Sequence, residues 1–476
     1  MSSLSIVLTG VITGCDSSSS TGTNNIVVQD ASDYATRSSA DFNQNSYGLI
    51  SATKAAKMIT DWENNKPEGK RKLIIMQVGN IYGFEGTHQE PNPVDGSMMD
   101  MPNGYIKSDA DKNVYVFDRT AGCTSATVEE SRGDGVSAIP KPVFTIEEMD
   151  MAFSTYGIDP NQDVLMLVLA EGSGSYMAGA ARMWYTMTYW GFPQEGIMML
   201  NGQASNVLNP DVNSEIAALG ITHDDLFTAE PSQYPMMLGQ TLVKGEDWDS
   251  VSNIKRDGTY LQATMEDMMD LVTANTGTDL ILDARSDAEY EGSKKAKTEY
   301  TTCGESKDQQ CYTAFDGHIK GAVNLYYTDV VKTDDASEDI NGDGEIDAKD
   351  ATYSWKSLEA LDNIFANAGY DAGDTVYTYC RTGTKASLLT FTSAAVLGYP
   401  TRMYDGSWIQ WGKMANTTDT NANELLPSDS RWLTVDYSES VIMQPDNTVV
   451  SPITQAFFNA YAENTNAMID EDKAAK

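Results

Sequence analysis

One local plan occurs twice along the chain, and that repetition narrows its folding options more than any other feature. Asp163-Val-Leu-Met-Leu-Val-Leu-Ala170 is an unbroken apolar run of strand length. It is followed by a Gly-rich turn, Glu171-Gly-Ser-Gly-Ser-Tyr176, a helical stretch from Ala178 to Trp190, and a second strand, Gly196-Ile-Met-Met-Leu200. The later half repeats the order. Asp374-Thr-Val-Tyr-Thr-Tyr379 leads into the turn Cys380-Arg-Thr-Gly-Thr-Lys385, the helix Ala386–Leu397 and the strand-like Thr401-Arg-Met-Tyr404. An earlier strand precedes each set, Lys72–Val78 in the first and Asp279-Leu-Ile-Leu-Asp283 in the second. Continuous apolar strands alternating with helices predict buried parallel sheets with helices on both faces. The expected fold class is α/β, built by duplication of a unit of about 160 residues.

The length of 476 residues leaves room for such a pair. Hydrophobic residues at 41% and charged residues at 21% supply packed cores rather than a disordered acidic chain. The stretch from Leu219 to Gly258 is polar and lacks a clear period, which places a connector over 221–258, between a first unit at 50–220 and a second at 259–435. Residues 82–142 are rich in Gly, Pro, Asn and Asp and read as surface loops inserted in the first unit. The tail, 436–476, holds one apolar helix-like patch, Ile453 to Tyr461, and then turns acidic. Lys and Arg number 32 against 69 Asp and Glu, a net charge of −37. No basic run exists to neutralise phosphates or an anionic bilayer, so nucleic-acid binding and polybasic membrane attachment are excluded.

The apolar stretch from Leu4 to Ile12 is too short to span a bilayer, which takes about 20 residues, but has the length of a secretory h-region. Ile12-Thr13-Gly14-Cys15 resembles the bacterial lipobox, which implies lipidation at Cys15. The Ser/Thr/Gly/Asn run that follows suits a flexible tether, so residues 1–25 are assigned to a lipoprotein signal and tether. The expected location is the cell envelope, periplasmic or outer surface, with the membrane reached through the lipid. Five cysteines occur, Cys15, Cys123, Cys303, Cys311 and Cys380. In an oxidising exterior Cys303 and Cys311 would close a small disulfide loop; exposed thiols or a partial metal site remain the alternatives.

Cys380 carries the strongest chemical signal. A Cys at the end of a buried strand and just before a helix meets converging backbone N–H groups and the positive end of the helix. Arg381 and Lys385 add two cations, and all of these favour the nucleophilic thiolate. Gly383 permits tight curvature, and Thr382 and Thr384 offer hydroxyl donors, a cradle suited to a persulfide anion. Cys-dependent phosphatases need an Arg six residues after the Cys; here that position is Ala386.

These words, together with Asp283-Ala-Arg-Ser-Asp-Ala-Glu-Tyr-Glu-Gly292, Gly317-His-Ile-Lys-Gly-Ala-Val-Asn324 and Tyr404-Asp-Gly-Ser-Trp-Ile-Gln-Trp-Gly412, resemble the rhodanese family of sulfurtransferases. The doubled plan resembles its tandem-domain members, with weaker matches at Gly104-Tyr-Ile-Lys107, Ala180-Ala-Arg-Met-Trp-Tyr185 and Met199-Leu-Asn-Gly202. The resemblance implies that Cys380 is the nucleophile, assisted by Arg381 and Lys385. Thr382, Gly383, Thr384 and Asp283 would form the substrate-binding loop, with Asp283 orienting it. Arg directly after the Cys is similar to the thiosulfate-using branch, whereas Glu289 falls where some of those enzymes carry Arg. His318 reads as part of a structural Gly-His-Ile turn. Glu171 stands at the first unit's equivalent of Cys380, which predicts that the first unit is catalytically silent.

A separate signal lies in Asp339-Ile-Asn-Gly-Asp-Gly-Glu-Ile-Asp-Ala-Lys-Asp350. Asp339, Asn341, Asp343, Asp347 and Asp350 take positions 1, 3, 5, 9 and 12 of an EF-hand-type loop, with Glu345 at 7, Gly at 6 and Ile346 placed to anchor the loop to the core. A structural Ca²⁺ is therefore expected, and no organic cofactor. The functional expectation is an exported thiosulfate sulfurtransferase passing sulfane sulfur to a thiol or cyanide acceptor. The alternative is a non-enzymatic sulfur- or selenium-binding lipoprotein of a cell-surface selenite or tellurite respiratory system.

Overall fold

Runs of Val, Ile, Leu and Met bury both faces of their strands, and the chain gathers them into two parallel sheets sandwiched by helices. The computed structural model describes residues 48–84, 88–91, 98–101, 104–118, 131–133, 138–140, 142–193, 196–229, 247–274, 278–291, 317–415 and 466–476. Cys15, Cys123, Cys303, Cys311, the signal and tether, and the patch Ile453–Tyr461 lie outside these residues.

The first unit contains β1 (Leu49–Ile50), α1 (Ala52–Thr60), β2 (Leu73–Val78), β3 (Val114–Asp118), α2 (Ile146–Tyr156), β4 (Val164–Leu169), α3 (Gly174–Tyr189) and β5 (Ile197–Leu200). The second contains β6 (Gln262–Ala263), α4 (Met265–Ala274), β7 (Leu280–Asp283), β8 (Val323–Asn324), α5 (Leu358–Asn367), β9 (Val376–Tyr379), α6 (Ala386–Phe391), β10 (Thr401–Tyr404) and α7 (Ser407–Ala415). A final helix, α8 (Ala467–Ala475), ends the chain. The sheet orders are β1-β5-β4-β2-β3 and β6-β10-β9-β7-β8, the same path traced twice, with every neighbour parallel. Such an order puts the carboxyl ends of β4 and β9 at the middle of their sheets, where parallel α/β folds bind ligands.

Local signals explain the helix ends. Thr145 and Glu148 form a reciprocal capping box at the start of α2, with the Glu148 N–H donating to Thr145 Oγ1 at 3.4 Å and the Thr145 N–H to Glu148 Oε2 at 3.3 Å. α3 is buried nearly all round, because it lies between the units rather than on the surface. Its Trp184 meets Phe391 of α6 edge-on at 5.1 Å. One hydrophobic core runs from Leu49 through α3 to Leu397, so the two units share their packing. After α6 the helix widens into a π turn over Thr392–Leu397, and Gly398 ends it in the left-handed region.

Two sequence expectations need correction. The 82–142 stretch is not all surface loop: Val114–Asp118 is an edge strand paired with β2, because its Val, Tyr and Phe side chains fit the sheet better than solvent. The 221–258 connector is partly built into the body. Phe227–Thr228 pairs antiparallel with Tyr105–Ile106, and Val251 and Ile254 are buried. The acidic end is also docked: Asp472 is buried, accepting from Tyr189 Oη at 2.6 Å and pairing with Arg132. Among the described residues, no helix is long and apolar enough to cross a membrane.

Candidate active site

Cys380 follows β9 and is 1% exposed, the one cysteine among the described residues. The turn after it is held by the start of α7. The N–H groups of Trp408 and Ile409 donate to the carbonyls of Cys380 and Arg381 at 3.0 and 3.2 Å, and the Cys380 N–H reaches Ser407 Oγ at 3.4 Å. On the other side, the Ser387 N–H and Oγ both donate to the Gly383 carbonyl at 3.0 Å. Gly383 has φ +82°, and a Cβ there would run into Asp405 Oδ1 and stand 2.7 Å from Arg182 Nη1. Glycine is thus required for both conformation and space.

Three ion pairs surround this turn. Arg182, from α3 of the first unit, makes a two-pronged pair with Asp405 after β10, at 2.7 and 2.8 Å, with both side chains fully buried. Burial works against the Arg182 charge, but Asp405, with a smaller contribution from Cys380, raises its pKa. Arg285 grips Asp283 (Nε to Oδ1 3.0 Å, Nη2 to Oδ2 2.6 Å), donates to the Gly317 carbonyl at 2.5 Å, and lies 4.6 Å over the Trp408 ring. Arg381 Nη2 donates to Glu289 Oε1 at 2.5 Å. Burial pushes the Glu289 carboxyl up, yet Arg381, Lys385 and Arg285 together outweigh it and hold it at about 2. Lys385 sits 5.3 Å over the Tyr327 ring and 6.0 Å over that of Tyr326.

The structure therefore brings Cys380, Arg381, Thr382, Gly383, Thr384 and Lys385 together in one turn. Asp283 does not open onto it as a substrate ligand: fully buried, it spends its carboxylate on Arg285 and on the Arg285 N–H at 3.0 Å. His318 is structural in geometry, with Nδ1 2.9 Å from the Tyr290 carbonyl and its ring stacked 3.7 Å from the Tyr290 ring. Burial lowers its pKa. Sequence reading passed over Arg182, Asp405 and the role of Glu289. A signal for Arg182 existed, since it is the one charged residue in the otherwise uncharged run of α3.

In the first unit, Glu171 follows β4 as Cys380 follows β9. Its pKa is raised by burial and by Asp118, against a backbone hydrogen bond from Asn80. The second unit presses on its turn: a Cβ at Gly172 would stand 2.6 Å from the Lys349 carbonyl, and one at Gly174 would stand 2.7 Å from Tyr327 Oη.

The 339–350 loop has the turns of a cation loop without the convergence. Asp339 accepts from the Gly342 and Gly344 N–H groups at 2.8 and 2.9 Å, and Asp350 Oδ1 from those of Ile340 and Asn341 at 2.8 and 3.1 Å. Asn341 and Asp343 likewise accept from the N–H two residues on. The Lys349 ammonium lies 2.9 Å from Asp343 Oδ2 and 3.6 Å from Asp347 Oδ2. Among the described residues, no group of three or more His, Cys, Asp or Glu side chains is gathered to hold a metal ion. Oxygen ligands of the right kind are present, but in this arrangement they face backbone and Lys349. Ile346 is 57% exposed and anchors nothing, a further correction; the last two residues of the loop are what reach the first unit, with Gln203 Nε2 donating to the Lys349 carbonyl and Asn206 Nδ2 to the Asp350 carbonyl, both 2.9 Å.

A doubled parallel α/β fold presenting a buried Cys in a short cationic turn defines a class of Cys-centred α/β proteins. Residues 264–414, most of the second unit, match the rhodanese-like domain family. The sulfur carrier protein TtuD of Thermus thermophilus is 26% identical over 166 residues, covering 34% of this chain and 49% of that protein, so the match spans about half its length. The structure of the Tum1 protein from Saccharomyces cerevisiae aligns over 77% of this chain and 94% of its own at 19% identity, with a TM-score of 0.45. SseA from Escherichia coli, from work on 3-mercaptopyruvate sulfotransferases, aligns over 76% and 98% at 15% identity, with a TM-score of 0.41.

Proposed function

We propose that the protein is a sulfurtransferase that carries sulfane sulfur on Cys380, with the second unit catalytic and the first silent. The observation that carries this reading is a buried Cys380 whose turn is fixed on both sides and flanked by Arg381 and Lys385. The thiolate attacks the outer sulfur of a donor; with thiosulfate the S–S bond breaks and its electron pair leaves with sulfite. A persulfide remains on Cys380, and a thiol or cyanide acceptor removes the outer sulfur to restore the thiolate. Lys385 and Arg381 would steady the anion, Thr382, Gly383 and Thr384 shape its cradle, and Asp283 acts only by fixing Arg285. His318 takes no part.

Export as a lipoprotein through Cys15, a Cys303–Cys311 disulfide, and a Ca²⁺ held by Asp339, Asn341, Asp343, Glu345, Asp347 and Asp350 belong to the same reading. For the ion to bind, Lys349 must swing off Asp343 and Asp347. The similarity to TtuD, a sulfur carrier protein, supports a second reading in which Cys380 loads sulfur or selenium without steady turnover. Sulfite release from thiosulfate, measured beside the intact mass of the protein, separates the two. Cys380-dependent turnover is expected, absent in Cys380→Ala. Loading without turnover would establish the carrier, and neither would refute both.

A further inference from the structure

The guanidinium groups beside the Cys380 turn are each matched by a carboxylate. Arg182 is paired with Asp405, Arg285 with Asp283 and Arg381 with Glu289. Lys385 is the exception. It lies over the rings of Tyr326 and Tyr327, and among the described residues no ion pair holds it. The turn thus offers about one net positive charge, enough for one thiolate or persulfide anion. A dianionic donor approaching that thiolate brings two further negative charges and competes with Glu289 for the Arg381 guanidinium. Glu289 is 6% exposed and fixed at its other oxygen by the Ser286 hydroxyl at 3.0 Å, so it does not swing aside freely.

We propose that Glu289 is a specificity-determining residue, which by counter-charging Arg381 tunes the Cys380 site away from dianionic donors and toward low-charge organic persulfides. The inference rests on the sulfurtransferase reading and deepens it. With such a donor, RS–SH, the Cys380 thiolate attacks the outer sulfur; the new S–S bond forms as the RS–S bond breaks, and the electron pair leaves as RS⁻. The proton stays on the transferred sulfur, and no outside oxidant or reductant enters. Thiosulfate remains a usable donor, but a handicapped one.

Glu289→Gln isolates the charge. Gln at this position keeps the capping box that Ser286 and Glu289 form at Asp287–Tyr290, so the helix start is preserved. The assay compares kcat/KM for thiosulfate and for cysteine persulfide, in wild type and E289Q, with the mass of loaded Cys380 as an independent readout. The ratio of thiosulfate to persulfide efficiency should rise about tenfold in E289Q, the scale of one partly screened charge pair. Adding Arg381→Gln to E289Q should abolish the gain, because the freed guanidinium is its source. An unchanged ratio with both donors loading Cys380 overturns the role of Glu289 and leaves the sulfurtransferase reading standing. No loading from either donor, in protein whose melting is unaltered, overturns the sulfurtransferase reading and this one with it.

Discussion

Arg182→Met tests whether the first unit positions the Cys380 turn. Arg182 and Asp405 lie 223 positions apart, belong to different units and are both fully buried. Removing one partner strands the other charge in the interior, which costs about 3–5 kcal/mol. With a melting entropy of about 2.1 cal/mol/K per residue, the whole chain melting as one would lose roughly 3–5 °C in Tm. A single unit of about 200 residues melting alone would lose roughly 7–12 °C. The double variant Arg182→Met with Asp405→Leu removes both charges and should regain most of that stability, since apolar replacement of a buried pair is often neutral. Its sulfur loading should stay slow, because Gly383 rests against this carboxylate and guanidinium and loses its support in both variants. Calorimetry and intact-mass loading are the assays. If Arg182→Met melts with the wild type, or the double variant loads at the wild-type rate, the cross-unit pair does not position the turn.

Two further outcomes are expected. Glu289 is held at about 2 against an ordinary 4.5, so its pair with Arg381 stabilises fully above the ordinary carboxylate range and is lost as the pH falls toward 2. The Tm gap between wild type and E289Q, followed across an acid series, should therefore close from about pH 5 down to about pH 2; a gap constant over that range refutes the pairing. Calcium should raise the Tm and Lys349→Ala should tighten its binding, as the internal ammonium is the competing cation; indifference of the melting curve to both calcium and EDTA would remove the ion from the account.

Much of the second unit was legible from local sequence. β7, β9 and β10 are apolar or β-branched runs bounded by turn residues, and their pattern needs no distant partner to be read. The Cys380 turn was legible for the same reason, as Cys, Gly and two cations fall within six consecutive residues. β3 was not, since a five-residue strand inside a Gly- and Asp-rich stretch forms only because β2 offers it an edge. Asp283 read as orienting the substrate-binding loop through the family resemblance, while its capture by Arg285 two positions on depends on the bend after β7. Ile346 followed a loop pattern that assumes a core beside position 8, and none lies there.

The sequence by itself determined that the chain is α/β, that its plan is doubled, and that Cys380 stands in a short cationic turn after a buried strand. Those facts lie in periodicity and in contiguous residues, which local sterics and burial are enough to express. Tertiary structure alone decided the charge of the site. Arg182, Glu289 and Asp405 reach the turn from separate elements, and whether a buried ion is paired depends on distance in space rather than along the chain. For that reason the cationic Cys380 turn could be read from the sequence, and the pairing of its charges could not.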